Sequence, residues 1–352
     1  MRSLAAVGAT VVAFVQLLAC GSNPDPGSDA SANRDWTQRQ ELPFGPYDIG
    51  AGSEDTTDCA QITLHNDTDI YVNTVELTTG PGFHHSNWFF VPETTFAGED
   101  GTWNCDSRAF TEPAAGVFGG VLFAQSTQNA HEVQQFPAGA ALKIPPHSKI
   151  VAQLHLLNGG DDPVHLAPTI AITPVPVAEV TTLLAGVSFE DQALAIPPHA
   201  KSRFTIECDL APKYDDLLHE APNFHLYHAL AHYHVLGSGL ELEAVKPDGT
   251  SAMIFTTAGH VGDALGKAID PPFDMTGYTK LRISCDYNSS RDTVVGWGNG
   301  DAEMCVFLAF SDSPYHWAGG ELNEETPTGP TMDGDVANYT SPCNVYAIDA
   351  SH

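Results

Sequence analysis

Basic residues are scarce in this chain. Its 352 residues include 14 Lys and Arg against 44 Asp and Glu, which gives a formal net charge of -30. Nucleic-acid binding needs a basic patch that neutralises phosphates, so this composition argues against a nucleic-acid partner. An acidic surface repels anionic substrates and favours neutral or cationic ones. A high negative charge can also reflect a need for solubility or adaptation to a salty habitat, and that alternative stays open.

Motifs of several common enzyme classes are absent as well. The chain has no C-x-x-C pair, which argues against a thiolate zinc site or a dithiol redox motif. It has neither a G-x-S-x-G elbow nor a phosphate-binding glycine loop. Long helical periodicity is hard to find, whereas Gly (31) and Pro (25) are plentiful. This composition is typical of a β-rich protein with many turns.

The first 40 residues predict export rather than part of the fold. Arg2 precedes an apolar stretch that is short for a membrane span, so residues 1–19 are typical of a signal peptide. The stretch ends in Leu-Leu-Ala-Cys, which resembles the lipobox of bacterial lipoproteins, and we expect lipid on Cys20. Residues 20–40 are rich in Gly, Pro and Ser and predict a flexible tether. The alternative is an ordinary signal peptide with an incidental cysteine.

Six cysteines follow the leader. An even number in an exported chain predicts disulfides, but six cysteines allow 15 pairings and the spacing selects none of them. These residues are Cys59, Cys105, Cys208, Cys285, Cys305 and Cys343.

Short alternating segments separated by turn signals predict strands in both halves of the chain. A Pro/Val-rich joint at residues 173–180 divides the two halves. The pattern predicts an all-β fold of two consecutive antiparallel, jelly-roll-like β-sandwich domains, residues 41–180 and 181–352. The predicted strands cover residues 59–66, 69–78, 149–157, 168–175, 201–208, 224–235, 239–245, 279–285 and 303–310.

Two pairs of histidines could hold a metal. His232 and His234 lie two apart in a predicted strand, so their side chains face the same side and suit Cu, Zn, Fe or Ni. His84 and His85 are adjacent, and both can bind one metal only where the backbone departs from regular pleating. The Gly-Pro-Gly run at residues 80–82 permits such a departure. With 16 His in the chain, about 0.7 pairs of each spacing arise by chance, so exposed or core histidines remain the alternative.

Three other residues are typical of a core when taken alone. His155 lies on an apolar strand, Met304 precedes Cys305, and His228 shares the strand of His232. A thioether becomes informative when it joins two histidines, because that donor set favours Cu(I). We expect His228 to be structural.

Four motifs follow one another across the two β-rich halves. They are H-H (84–85), Q-x-H (153–155), H-x-H (232–234) and E-M-C (303–305). With the flanks TWNCDS, IPPHAKSRFTIEC, FHLYHALAHYHVLG and GDAEMC, this series resembles the copper type II, ascorbate-dependent monooxygenases. These are the peptidylglycine α-hydroxylating and dopamine β-monooxygenase relatives. The resemblance covers most of residues 45–350, with low identity between the motifs.

The resemblance implies two coppers per chain, which flank a cleft between the domains. Ascorbate or an equivalent one-electron reductant would be the co-substrate, with O2 and a small molecule as the other reactants. The chain would act as a monomer whose only membrane contact is the lipid anchor. The implied first, electron-donating site is His84, His85 and His155, and the implied catalytic site, where oxygen and substrate react, is His232, His234 and Met304. The implied disulfides are Cys59–Cys105, Cys208–Cys343 and Cys285–Cys305.

The implied substrate pocket departs from the peptidylglycine enzymes. Leu230 stands where those enzymes have an Arg for the substrate carboxylate, and Val306 and Leu308 replace an Asn and a Tyr. A carboxylate in such a pocket would be unpaired, so we expect a neutral or apolar substrate whose C–H bond is hydroxylated. The first alternative is a non-catalytic copper lipoprotein for storage, delivery or electron transfer. The second is an acidic surface protein whose histidines are incidental.

Overall fold

The computed structural model describes residues 34–322 and 326–350. The expected signal peptide, Cys20 and most of the tether lie outside the described residues. Within them the chain is all-β, as expected, with two short helices, α1 (Glu112–Phe118) and α2 (Ala211–Leu218). Single 3₁₀ turns occur at Cys105–Arg108 and Val177–Glu179. No helix of the described part is long and apolar enough to cross a membrane.

The first half is a sandwich of two six-stranded sheets, with orders β1-β13-β5-β10-β14 and β7-β4-β11-β6-β8; β9 also pairs with β5 and β3 with β11. Its strands are β1 (Gln40–Pro43), β2 (Tyr47–Ile49), β3 (Ser53–Asp55), β4 (Asp58–Thr63), β5 (Ile70–Thr78), β6 (Phe83–Pro92), β7 (Gly101–Asn104), β8 (Gly120–Ala124), β9 (His131–Gln135), β10 (Ala140–Ile144), β11 (Ser148–Asn158), β12 (Val164–Leu166), β13 (Thr169–Pro174) and β14 (Thr182–Leu183).

The second half repeats the architecture, with sheet orders β21-β18-β24-β15-β25-β28 and β20-β19-β22-β17-β27-β26. Its strands are β15 (Ala185–Asp191), β16 (Ala195–Ile196), β17 (Lys201–Asp209), β18 (His225–His232), β19 (Gly237–Val245), β20 (Ser251–Thr257), β21 (Gly266–Asp274), β22 (Lys280–Asn288), β23 (Val295–Gly296), β24 (Val306–Ser311), β25 (Tyr315–Glu321), β26 (Thr328–Asp333), β27 (Val336–Ser341) and β28 (Asn344–Asp349).

Strand β17 shows why these segments form half-buried strands. Every second residue from Ser202 to Cys208 is buried, and the residues between them are more exposed. On the outer face, Arg203 forms an ion pair with Asp286 of the neighbouring β22 at 2.7 Å. Alternation of this kind places one face on the sandwich core and the other in water.

The pairing is mostly antiparallel but not purely so. Parallel pairs join β10 to β14, β15 to β25 and β17 to β27. No described strand before residue 184 pairs with a described strand after it. The two sandwiches instead meet through side chains and loops, and the cluster described below lies at that contact.

Three disulfides join the cysteines, and their pairing is the one that the resemblance implies. One bridge lies in the first half and two lie in the second. They are Cys59–Cys105, Cys208–Cys343 and Cys285–Cys305. Disulfides form and persist in oxidising compartments, which indicates export.

Candidate metal centre

Five histidines from the two halves converge on one point. The ring centroids of His84 and His155 lie 4.3 Å apart, and those of His85 and His155 lie 4.8 Å apart. Across the contact between the halves, His85 lies 4.9 Å from His232, which is 5.3 Å from His234. The five histidines of the two predicted copper sites therefore form one cluster.

A β-bulge brings the adjacent His84 and His85 into this cluster. In the pairing of β6 with β11, His155 is opposite His85, whereas Leu156 is opposite Phe83, so His84 is an extra residue in its strand. A bulge reorients side chains that would otherwise point to opposite faces. The departure from regular pleating that two adjacent ligands require is therefore present.

Gly82 leads into this bulge with a φ of +89°. A Cβ atom at this position would lie 2.6 Å from Val164 Cγ2 and 2.9 Å from Ile49 Cδ1. Both the backbone conformation and the space therefore favour glycine.

His232 and His234 reach the cluster in a different way from the one expected. The predicted strand runs to residue 235, but β18 ends at His232, and His234 lies in the loop beyond it. The carboxylate of the buried Glu303 determines the path of that loop. It accepts hydrogen bonds from the backbone N–H of His234 at 2.9 Å and of Leu236 at 2.6 Å. A strand continuing through this point would need those N–H groups for its ladder.

Backbone carbonyls set the tautomers of these two imidazoles. His232 Nδ1 donates to the carbonyl oxygen of Ser126 at 3.0 Å, and His234 Nδ1 donates to that of Ala302 at 2.8 Å. Each ring therefore keeps its Nε2 lone pair free. The Nε2 atom of His234 is buried without a hydrogen-bond partner among the described residues. A buried acceptor of this kind suits a metal ligand.

His155 presents the opposite nitrogen. Its Nε2 lies 2.7 Å from a carboxylate oxygen of Glu54, to which it donates, and its Nδ1 lies 3.1 Å from Nε2 of His85. Carboxylates that hold the distal N–H of an imidazole commonly orient metal-binding histidines.

Burial favours the neutral form of the histidines in this cluster whose pKa is shifted. Burial is the main cause that lowers the pKa of His84 and of His232 to about 3, and repulsion from neighbouring imidazoles contributes. The same causes place the pKa of His85 well below its ordinary value. Neutral imidazole is the form that binds metals, so these three rings require no proton loss before they bind one.

The nitrogen atoms form two overlapping groups. Those of His84, His85 and His155 lie within 4.8 Å of one another, as do those of His85, His232 and His234. Since His85 belongs to both groups, the division into two sets of ligands is not unique on geometry. If His85 serves the first group, His232 and His234 need a third donor. Met304 lines the same cavity as His232 and could supply it, so the expected second set stays a prediction.

A cavity of about 440 Å³ opens beside the cluster, between the two halves. Val306 and Leu308 line it as expected of a substrate pocket, but Leu230 is not among the lining residues. Leu230 is 1% exposed and is paired with Leu308 on the neighbouring strand of the second half. His228 is buried, and its ring centroid lies 6.0 Å from that of Phe136. Among the described residues, its ring does not contact the rings of the histidine cluster.

Four residues that hold the histidines were not predicted from the sequence. Glu54, Ser126, Ala302 and Glu303 each form a hydrogen bond with a cluster histidine from a distant part of the chain. Ala302 and Glu303 carried a signal, because they stand directly before Met304 in the GDAEMC stretch. No spacing pattern in the sequence indicates Glu54 or Ser126.

Comparisons with known proteins add little. No family model matches the chain, and no curated protein matches it closely enough to count as a relative. Similar solved structures include the PBSX exported protein XepA (9% identity, TM-score 0.21, 79% of this chain and 88% of that one). They also include a putative secreted protein from Parabacteroides distasonis (10%, 0.20, 81% and 92%). A third is a peptide-N(4)-(N-acetyl-beta-D-glucosaminyl) asparagine amidase (8%, 0.26, 77% and 97%). Likenesses this low carry no argument about function.

Proposed function

We propose that this chain is a copper- and ascorbate-dependent monooxygenase that hydroxylates a C–H bond of a small molecule. One oxygen atom of O2 enters the product and the other leaves as water, with two electrons from ascorbate. The observation that carries the proposal is the convergence of five histidines from both halves beside a cavity that Met304 lines. The ordered series of motifs along the sequence supports copper as the metal.

The donor set fits copper in two different environments. His84, His85 and His155 would hold one ion through imidazole alone, a donor set that serves both Cu(I) and Cu(II). His232, His234 and Met304 would hold the second in a softer set that favours Cu(I). Bound copper would supply the one-electron steps and the activation of oxygen.

The chain's own residues orient the ligands and the substrate. The carbonyls of Ser126 and Ala302 hold the Nδ1 protons of the two histidines in the second half, which leaves each Nε2 free. Val306 and Leu308 present an apolar surface on the cavity side, next to His232. A C–H bond resting on that surface would face the second ligand set.

We infer that the protein is a lipoprotein of the bacterial cell envelope. It would be attached to the membrane through Cys20 and would act as a monomer. The three disulfides support an oxidising compartment outside the cytoplasm. Mass spectrometry of the protein isolated from membranes tests the anchor, because a lipid-modified N-terminal Cys20 is expected and an unmodified one would contradict it.

Ascorbate-driven oxygen consumption tests the proposed activity. We expect copper-loaded wild type to consume O2 when ascorbate is present and Met304→Ala to lose most of this activity. Met332→Ala is a matched control, because Met332 is 62% exposed and is not among the residues that line the cavity. Copper binding without oxygen consumption, even with candidate substrates, would favour the alternative of a copper carrier.

A further inference from the structure

Glu132 is a buried carboxylate at the contact between the two halves. On β9 its neighbours His131 and Val133 are exposed, whereas Glu132 is only 4% exposed. Its Oε1 atom lies 3.7 Å from the position that a Cβ of Gly266, the first residue of β21 in the second half, would occupy. Burying a carboxylate costs free energy unless hydrogen bonds replace the lost water, so the groups that it binds are informative.

Ser126 connects this carboxylate to the histidine cluster. Glu132 Oε2 accepts a hydrogen bond from the backbone N–H of Ser126 at 3.1 Å. The carbonyl oxygen of Ser126 in turn accepts the Nδ1 proton of His232 at 3.0 Å. Ser126 is fully buried, so its backbone groups need these partners in place of water. The carboxylate and the imidazole are therefore linked through the backbone of one residue.

Ser126 lies in a loop, between the end of β8 at Ala124 and the start of β9 at His131. Its side-chain Oγ accepts a hydrogen bond from the backbone N–H of Leu265 at 2.8 Å, which constrains the hydroxyl but not the direction of the backbone N–H. The hydrogen bond to Glu132 fixes that direction. Without an acceptor, the buried N–H would be unsatisfied and the loop would relax away from this conformation.

The same hydrogen bond orients a second carbonyl. The peptide plane that carries the Ser126 N–H also carries the Gln125 carbonyl, and the two groups point in opposite directions because the peptide is planar and trans. Burial lowers the pKa of His232, and hydrogen bonding to the carbonyls of Ser126 and Gln125 opposes this change. Both carbonyls therefore face the ring while the Ser126 N–H faces Glu132.

These carbonyls decide which nitrogen His232 offers to a metal. A neutral imidazole carries one proton, and the hydrogen bond made by one nitrogen sets which nitrogen is free to bind metal. With the proton held on Nδ1, the lone pair is on Nε2. If the carbonyls turned away, the proton would have no fixed position and Nε2 would be protonated part of the time.

We propose that Glu132 is a positioning residue for His232. Its carboxylate orients the backbone at Ser126, and this backbone holds the imidazole with Nε2 free for metal. The role in copper binding rests on the proposed function, whereas the effect on the tautomer of His232 requires no metal.

The tautomer of His232 in the folded, metal-free protein tests this proposal. Glu132→Leu removes the acceptor but keeps a side chain of similar size. NMR of protein with ¹⁵N-labelled histidine reports which nitrogen carries the proton, and His232→Gln identifies the signal by its loss. We expect Nδ1–H alone in wild type and a mixture of both tautomers in Glu132→Leu. Glu132→Gln should restore the wild-type tautomer, because its amide oxygen can accept the same N–H.

Copper affinity supplies a second readout. Glu132→Leu should bind Cu(I) about 10-fold more weakly at the second ligand set, a loss typical of residues that orient metal ligands. Gln134→Leu is the matched control, because Gln134 is 2% exposed on the same face of β9 and its Nε2 donates to the carbonyl of Leu122 at 2.8 Å. It should lower the free energy of unfolding but leave the tautomer and the affinity unchanged.

Two results would overturn the inference. The first is a folded Glu132→Leu protein in which His232 keeps the wild-type tautomer, and Glu132→Met decides this point if Glu132→Leu does not fold. The second is an equal change of tautomer in Gln134→Leu, which would show that any loss of packing at β9 disturbs the ring. Failure of the proposed function is separable, because a chain that binds no copper but changes tautomer in Glu132→Leu would keep Glu132 as the residue that orients His232.

Discussion

The carboxylate of Glu303 joins two parts of the candidate second site, and its removal should affect both. Its side chain is fully buried and accepts the N–H groups of His234 and Leu236, and the following residue is Met304. In Glu303→Ala both N–H groups lose their acceptor. Each unsatisfied buried donor costs about 1–3 kcal/mol, so we expect the free energy of unfolding to fall by about 2–6 kcal/mol.

The same change should weaken metal binding. Residues that orient metal ligands typically contribute 10- to 100-fold in affinity, so we expect a loss of about that size for Cu(I). Glu303→Gln should lie between wild type and Glu303→Ala, because its amide keeps one acceptor oxygen. Burial raises the pKa of Glu303 to about 7, so the amide also imitates the protonated acid.

Competition with a chromophoric Cu(I) chelator measures the affinity, and urea unfolding of the metal-free protein measures the stability. Asp301→Asn is the matched control, because Asp301 lies in the same loop but its side chain is 95% exposed. A folded Glu303→Ala protein with the Cu(I) affinity of wild type would refute the idea that this carboxylate positions the ligands.

Three further changes have defined outcomes. His228→Phe should make the stability less sensitive to acid, because burial lowers the pKa of His228 from 6.5 to about 4 and wild type therefore loses stability as the pH falls through that range, about 2 kcal/mol at about pH 5. Urea unfolding at several pH values measures this, with a substitution of the exposed His65, His65→Asn, as the control. A His228→Phe variant with the pH dependence of wild type would contradict the prediction. Glu54→Gln should lower copper affinity about 10-fold by chelator competition, since it loses the charged acceptor of an imidazole N–H; an unchanged affinity would remove Glu54 from the site. Replacing Cys285 and Cys305 by Ala removes a disulfide between residues 20 positions apart and should lower the free energy of unfolding by about 3 kcal/mol, measured with urea. A loss below about 1 kcal/mol would contradict the idea that this disulfide stabilises the protein by restricting the unfolded chain.

The sequence predicts those strands whose burial alternates. All nine predicted segments overlap an observed strand, including β5 and β17, where every second residue tends to face the core. The other 19 strands of the described residues were not predicted, among them β6, which carries His84 and His85. The two helices were not predicted, because each is only 7 or 8 residues long and carries little periodicity. The signal for α1 was local: Thr111 caps it through Ala114 N–H, and Pro113 follows Glu112.

The histidine cluster was predictable in membership but not in arrangement. The residues that could bind metal stood out by type and order along the chain. Their support comes from contacts between distant segments, such as Ser126 with His232, which are 106 positions apart. The closeness of His85 to His232 likewise depends on how the two halves meet. Spacing within a strand carries no information about such contacts.

The copper content of the folded protein decides whether the histidine cluster is a copper centre. The chain is isolated without metal, reconstituted with Cu(I) under ascorbate, desalted and analysed for metal per polypeptide, beside His85→Ala and His234→Ala. We expect two coppers per chain in wild type and fewer in each variant, with urea unfolding confirming that both variants fold. A wild-type protein that retains no copper, or variants that retain two, would contradict the assignment of the histidine cluster as a copper centre.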